Sequence, residues 1–154
     1  MRIIEADALT QKQMEEIYKL WNNEYPADLC YTNPLAFENY LKGLGNQHHF
    51  LLVDGEDTVK GWFVDFMREG EKWFTMILGS GTQGKGYGSE LLNRAKLLSP
   101  EINGWVIDHN NDKKRNGEIY SSPIAFYKKQ GFEIVADTRL ELDIISAAKI
   151  RWRK

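Results

Sequence analysis

Residues 79–88 read Gly-Ser-Gly-Thr-Gln-Gly-Lys-Gly-Tyr-Gly, with five glycines in ten positions. The run Lys72–Leu78 before them is apolar and strand-like. Behind them Tyr87, Leu91, Ala95 and Leu98 fall on one helical stripe, which Ser99-Pro100 stops. A strand, a glycine-rich turn and a helix amino terminus together build an anion site. Glycines let the backbone approach a ligand and aim its N–H groups inward, and the helix dipole favours negative charge. The stretch predicts an α/β chain that binds a phosphorylated compound.

Two phosphate patterns fit this turn poorly. Gly79, Gly81 and Gly84 match G-x-G-x-x-G, but that dinucleotide fingerprint needs a βαβ unit and an acidic residue about 20 positions on at the end of a strand. Here the nearest candidate, Glu101, directly follows Ser99-Pro100. Residues 79–86 also approach G-x-x-x-x-G-K-[ST], except that Gly86 stands where a hydroxyl should hold magnesium.

Working outward, Arg2–Ala6 reads as a first strand. Thr10 and Gln13 form a capping box for a helix with Met14, Ile17, Tyr18, Trp21 and Tyr25 on one face. Asn33-Pro34 opens a second helix, striped by Phe37, Tyr40, Leu41 and Leu44 and ended at Gly43/Gly45. Strands are predicted at His49–Asp54, Val59–Met67 and Lys72–Leu78, joined by turns at Asp54-Gly55 and Glu69-Gly70 into an antiparallel meander. A further strand is predicted at Trp105–Asp108, and His109–Tyr120 is polar and loop-like. Ser122-Pro123 starts a short helix that runs through Gln130 to Gly131, before extended segments from Phe132 onward. The position of the last turn, between Glu141 and Ala148, is left open.

The 154 residues, 42% hydrophobic and 27% charged, suit one globular domain spanning 1–154. The longest apolar runs have four residues, against about 20 for a membrane helix and about 7–15 for a signal-peptide core. Cys30 is alone, which excludes an internal disulfide and suits a reducing cytoplasm. A net charge of −2 argues against a dedicated nucleic-acid binder. Residues 1–77 sum to −6 and residues 78–154 to +4, as if an acidic half faced a cationic ligand and a basic half an anionic one. His48, His49 and His109 with one cysteine make no metal-ligand spacing, so no metal is expected.

Gln83, Gly86 and Gly88 form Q-x-x-G-x-G at the junction of turn and helix. Ser-Pro-Ile-Ala-Phe-Tyr-Lys-Lys-Gln-Gly-Phe-Glu at 122–133 adds a short helix with an F-Y-x-K-x-G-F-like run. Together, at this separation and in this order of elements, they resemble the two signature motifs of the GNAT superfamily of acetyl-CoA-dependent N-acetyltransferases. The resemblance implies a mixed, mostly antiparallel central sheet flanked by helices. It also implies acetyl transfer to a primary amine of a small molecule or peptide, with no nucleic-acid or membrane partner and a possible homodimer. The rival reading on the same fold is a non-catalytic acyl-CoA sensor.

By that resemblance Gln83, Gly84, Lys85, Gly86, Tyr87 and Gly88 cradle the coenzyme pyrophosphate, and the backbone of Met76, Ile77 and Leu78 runs beside its pantetheine arm. Tyr127 falls where the family often places a tyrosine near the coenzyme sulfur, as an acid for the departing thiolate. The amine must lose a proton before attack, and Asp65, Asp108, His109 or a water relay are the candidate bases. One departure stands out. Where the family commonly carries an asparagine about seven positions before the tyrosine, this chain has Tyr120. Asn110 or Asn111 are possible substitutes, and the 108–117 segment is long enough to shape an acceptor pocket.

Overall fold

The computed structural model describes all of residues 1–154. Strand β1 (Arg2–Ala6) leads into helix α1 (Gln11–Glu24), and the expected capping box is formed. Thr10 Oγ1 accepts from the Gln13 N–H, and Gln13 Oε1 accepts from the Thr10 N–H. Helix α2 (Pro34–Lys42) has Asn33 as its cap and proline at its first position, where the missing N–H costs nothing. Strands β2 (Gly45–Val53), β3 (Val59–Arg68) and β4 (Glu71–Leu78) form the expected meander, with β1 antiparallel to β2 at the outer edge.

Helix α3 (Tyr87–Leu98) follows the glycine turn and delivers the chain to β5 (Glu101–Val106). That strand begins four residues before the predicted Trp105, directly after Pro100. The buried stripe of α3 also differs from the expected one. It runs through Gly88, Leu91, Leu92 and Ala95 to Ser99, while Leu98 is 57% exposed. Helix α4 (Ile124–Lys129) precedes β6 (Glu133–Leu142) and β7 (Ile145–Arg153), so the last turn lies at Asp143-Ile144. One seven-stranded sheet results, in the order β1-β2-β3-β4-β5-β7-β6. Only the β4–β5 contact is parallel.

Alternation along β3 divides the core between the two sheet faces. Trp62, Val64 and Phe66 pack with Ile17, Trp21, Phe37 and Leu41 of α1 and α2. Phe63 points the other way and packs with Phe74, Leu91, Leu92, Tyr127 and Ile150. An orphaned buried donor or acceptor costs about 1–3 kcal/mol, and the packing leaves two, Trp73 Nε1 and Asn103 Oδ1. His49 is paired at both ring nitrogens. The Trp62 indole donates to its Nδ1 at 2.9 Å, and its Nε2 lies 2.8 Å from Gln47 Oε1, which defines a neutral ring protonated on Nε2. Burial, reinforced by neighbouring His48, pushes the His49 pKa down to about 4.

This pairing predicts a pH dependence. The unfolded chain binds a proton at His49 below about pH 6.5 while the native protein does not, so stability falls as the pH drops from there towards 4. The loss reaches about 2 kcal/mol by pH 5. Denaturant titrations between pH 7 and 5 should show it, and His49→Gln, which cannot titrate, should flatten it.

Candidate active site

Strands β4 and β5 are paired at one position, Trp73 with Asn103, and diverge beyond it. On one side Met76, Ile77 and Leu78 pair with Phe63, Trp62 and Gly61 of β3. On the other side they have no strand partner. A cleft of about 480 Å³ opens there, walled by these three residues, the glycine turn and the Phe126–Tyr127 face of α4. Backbone groups of an otherwise central strand are thereby free to pair with a ligand.

The turn is held by its own hydrogen bonds. Gln83 Nε2 donates to Leu78 O at 2.9 Å, Thr82 Oγ1 donates to Gly79 O at 2.8 Å, and Gly79 N–H donates to Lys60 O at 2.9 Å. Gly84 and Gly86 have φ of +73° and +88°, in the left-handed region, and a Cβ on either would point into open space. Gly86 is the N-cap of α3, and no side chain caps that helix. Its first-turn N–H groups face the turn uncompensated, as an anion site requires. Gly88 serves packing instead: a Cβ there would lie 3.0 Å from Phe126 Cζ and 3.4 Å from Leu78 Cδ1. Gln130 Nε2 donates to Ser89 Oγ at 2.8 Å, and Lys96 Nζ to Gln130 O, so α3 and α4 are locked across the cleft.

A second cavity, of about 250 Å³, lies on the far side of Tyr127. The two cavities share Tyr25, Met76, Tyr120, Pro123 and Tyr127, so these residues mark a junction between them. All three phenols are buried enough to raise their pKa values, Tyr120 up to about 12, with Tyr25 and Tyr127 also well above the ordinary tyrosine range. Arg68 is the one charged residue in the lining of the second cavity.

The 108–120 segment positions part of this junction. It is a small hairpin, with Lys113 bridged to Ile119, and it is strapped to the end of α1. Ala27 N–H donates to Lys113 O at 2.8 Å, and Arg115 donates to Asn23 Oδ1 at 3.1 Å. Glu24 ties it to the glycine turn, accepting from Lys114 Nζ at 3.2 Å and from Ser80 Oγ at 2.9 Å. Tyr120 is thereby set against Tyr25, with ring centroids 6.3 Å apart.

No family model matches this sequence, and no curated protein matches it. Solved structures do match its fold. An aminoglycoside 6'-N-acetyltransferase complexed with coenzyme A superposes with a TM-score of 0.72 at 16% identity, covering 99% of this chain and 97% of that one. A GNAT superfamily phosphinothricin acetyltransferase from Sinorhizobium meliloti, in complex with AcCoA, gives 0.66 at 14%, covering 99% and 89%. A spermidine/spermine N-acetyltransferase from Vibrio cholerae gives 0.63 at 16%, covering 98% and 92%. The fold is the GNAT fold.

On that GNAT frame one cleft is lined by Met76, Ile77, Leu78, Gln83, Gly84, Gly86, Gly88 and Tyr127. Lys85 and Tyr87 belong to the same turn but lie outside its lining. None of the candidate bases lines either cavity. Asp65 is buried on the Phe63 side of β3, 3.9 Å from His48 and 4.0 Å from Lys72, and desolvation raises its pKa. Asp108 is clamped by both terminal nitrogens of Arg139, which holds its carboxyl below the usual range. His109 accepts from the Asn111 N–H through Nδ1. Neither Asn110 nor Asn111 lines either cavity, and Asn110 Oδ1 accepts from Ser122 N–H at 2.8 Å. Tyr25, Glu24 and Arg68 are lining residues that motif reading missed, and Tyr120 stood out in the sequence only as a departure from the motif. Tyr25 had a signal, as the last aromatic on the α1 stripe, but one shared with ordinary core residues. Its extended backbone carries it off the helix to the junction.

The glycine turn gives a matched test. Valine at Gly86 or at Gly70 (φ +78°, in the remote β3–β4 turn) forces an L-residue into the left-handed region, at a cost of about 1–2 kcal/mol each. Calorimetry should show acetyl-CoA affinity reduced tenfold or more in Gly86→Val and unaltered in Gly70→Val.

Proposed function

We propose that the chain, as one domain over 1–154, transfers an acetyl group from acetyl-CoA to a primary amine. The observation that carries this reading is the junction. An anion-binding cleft and an aromatic cavity meet at Tyr25, Tyr120 and Tyr127, where a donor and an acceptor would be brought face to face. The likeness to N-acetyltransferases in fold supports the same reading.

The residues present fit the donor. The α3 amides and the open left-handed glycines suit its pyrophosphate, and the unpaired edge of Met76–Leu78 suits the amides of its arm. Acetyl-CoA would supply an acetyl group activated as a thioester. The amine nitrogen would bond to the acetyl carbon as the carbon–sulfur bond breaks, with one proton leaving the amine and one reaching sulfur.

Tyr127 is the proton donor of this proposal. Its phenol is protonated throughout the physiological range and stands at the junction, where it would present its O–H to the departing sulfur; burial raises its pKa and does not make it a stronger acid. Loss of the amine proton needs no adjacent carboxylate. A lysine-like ammonium with a pKa of about 10.4 in water is destabilised when moved into an apolar cavity whose one charge is cationic. Its proton can pass to solvent before the amine enters.

Thiol release from acetyl-CoA across a panel of amines tests the activity. Binding of acetyl-CoA without turnover on any amine would favour the sensor reading. Tyr127→Phe keeps the ring and its contacts with Phe74 and Phe132. Its kcat is expected to fall about 10²–10⁴-fold with acetyl-CoA affinity little changed. Tyr127→Ala should in addition lose about 3–5 kcal/mol of stability. Near-normal turnover in the Phe variant would remove Tyr127 from the chemistry.

A further inference from the structure

The second cavity carries information about the acceptor. Its walls are largely aromatic, and Arg68 stands at the end remote from the junction. The Arg68 guanidinium lies over the rings of Phe66 and Trp73, with Cζ 5.0 and 5.9 Å from their centroids. Every other arginine in the chain has an oxygen partner. Arg2 pairs with Asp57, Arg94 with Glu90, Arg115 with Asn23, Arg139 with Asp108, Arg151 with Glu133, and Arg153 with Glu101. Arg68 has none. Its cross-strand neighbour Glu71 is engaged by Lys149 at 3.2 Å instead. No carboxylate lines the cavity. Arg68 is exposed at the mouth of the slot, and its ring-stacked guanidinium, without an oxygen partner, is a fork open to an oxyanion.

Trp73, under Arg68, and Met76, at the junction, are three residues apart on β4. At about 3.3 Å per residue the two ends of the slot are separated by about 10 Å. A polyamine would place its second ammonium beside a guanidinium with no carboxylate to offset it. The aromatic walls would still favour an apolar body, and the volume of about 250 Å³ suits a small molecule.

Resting on the acetyl-transfer reading, we propose that the acceptor is an anionic amine. Its primary amine sits at the Tyr127 junction and its carboxylate or similar oxyanion is held by Arg68, with an apolar or aromatic body about 10 Å long between them. The acidic balance of residues 1–77 does not contribute to this recognition, because none of those carboxylates reaches the cavity.

A chain-matched series tests it: 8-aminooctanoate, octylamine and 1,8-diaminooctane, each assayed for acetyl-CoA-dependent thiol release. The expected order of kcat/KM puts 8-aminooctanoate about 10- to 100-fold above the other two, the range for a charge-assisted contact. In Arg68→Gln the ratio of 8-aminooctanoate to octylamine should collapse towards one, with partial recovery in Arg68→Lys. Acetyl-CoA affinity, set in the other cavity, serves as the control for folding. A diamine that matches or beats 8-aminooctanoate, or an equal ratio in Arg68→Gln, overturns the proposal. Trp21, Trp73 and Trp105 line the slot, so quenching of tryptophan fluorescence reads ligand binding without turnover. Carboxylate-selective quenching that disappears in Arg68→Gln would uphold the slot assignment even if no amine were acetylated, a result that would sink only the transfer reading. Quenching without charge preference would sink the slot assignment itself.

Discussion

The site depends on how little of β4 is paired with β5. Parallel strands joined by a helical crossover would ordinarily continue side by side and satisfy each other's backbone. Here the pairing holds at Trp73 and Asn103 and stops. The seam is firm at that point: Asn103 Nδ2 donates to Lys72 O at 3.1 Å, and the Trp73 and Trp105 rings stack 5.1 Å apart. One residue further on, Gly104 admits the Phe74 ring so closely that a Cβ would sit 2.8 Å from it. Phe74 in turn packs against Tyr127 and Phe132, so the ring at the seam also seats the helix that walls the cleft. The same pairing that closes the sheet on one side of Trp73 leaves Met76–Leu78 open on the other.

Three separate segments then meet over that gap: the end of α1, the glycine turn and the 108–120 hairpin. Glu24 joins all of them, being the last residue of α1 and bonding both Ser80 and Lys114. Its carboxylate is spent on structure, in keeping with its limited exposure. Tyr25 and Tyr120 reach the junction from opposite sides of this node. The position where the resemblance implied an asparagine thus carries a phenol, Tyr120, which the 108–120 hairpin sets in the wall of the cleft.

The parts legible in the sequence were those set by local rules. The Thr10–Gln13 capping box, the Asn33-Pro34 helix start, the β2–β4 meander and the glycine turn each follow from neighbours within a few residues, and the structure contains all of them. The proposed cofactor side of the site is of this kind, since a turn and a helix terminus lie together in the chain. The proposed acceptor side is not. Arg68, Tyr25, Trp73 and Tyr120 come from four elements, and only the tertiary fold shows that they share a cavity. The choice of Asp65 shows the limit of strand alternation. Alternation places that residue on the Phe63 face of β3, but does not say how far along the strand a cavity extends, and Asp65 falls at the end held by His48 and Lys72. The start of β5 was missed for another reason. Asn103 and Gly104 argue against a strand by propensity, yet their use at the seam outweighs that preference.

Charge in this molecule is arranged by position along one path and not by halves of the sequence. At one end the uncapped amides of α3 offer partial positive charge. At the other end Arg68 offers a full one over two aromatic rings. At the junction between them Met76 and Pro123 are apolar, and Tyr25, Tyr120 and Tyr127 are neutral phenols whose pKa values burial raises further. Such a path favours ligands that are anionic at their outer ends and uncharged where they meet. A thioester is uncharged, and an amine becomes so on losing its proton. In the proposed transfer, desolvation at the junction would therefore work with the reaction at the stage when the reactants are brought together. The negative charge that would then develop on sulfur would arise beside the protonated phenol of Tyr127.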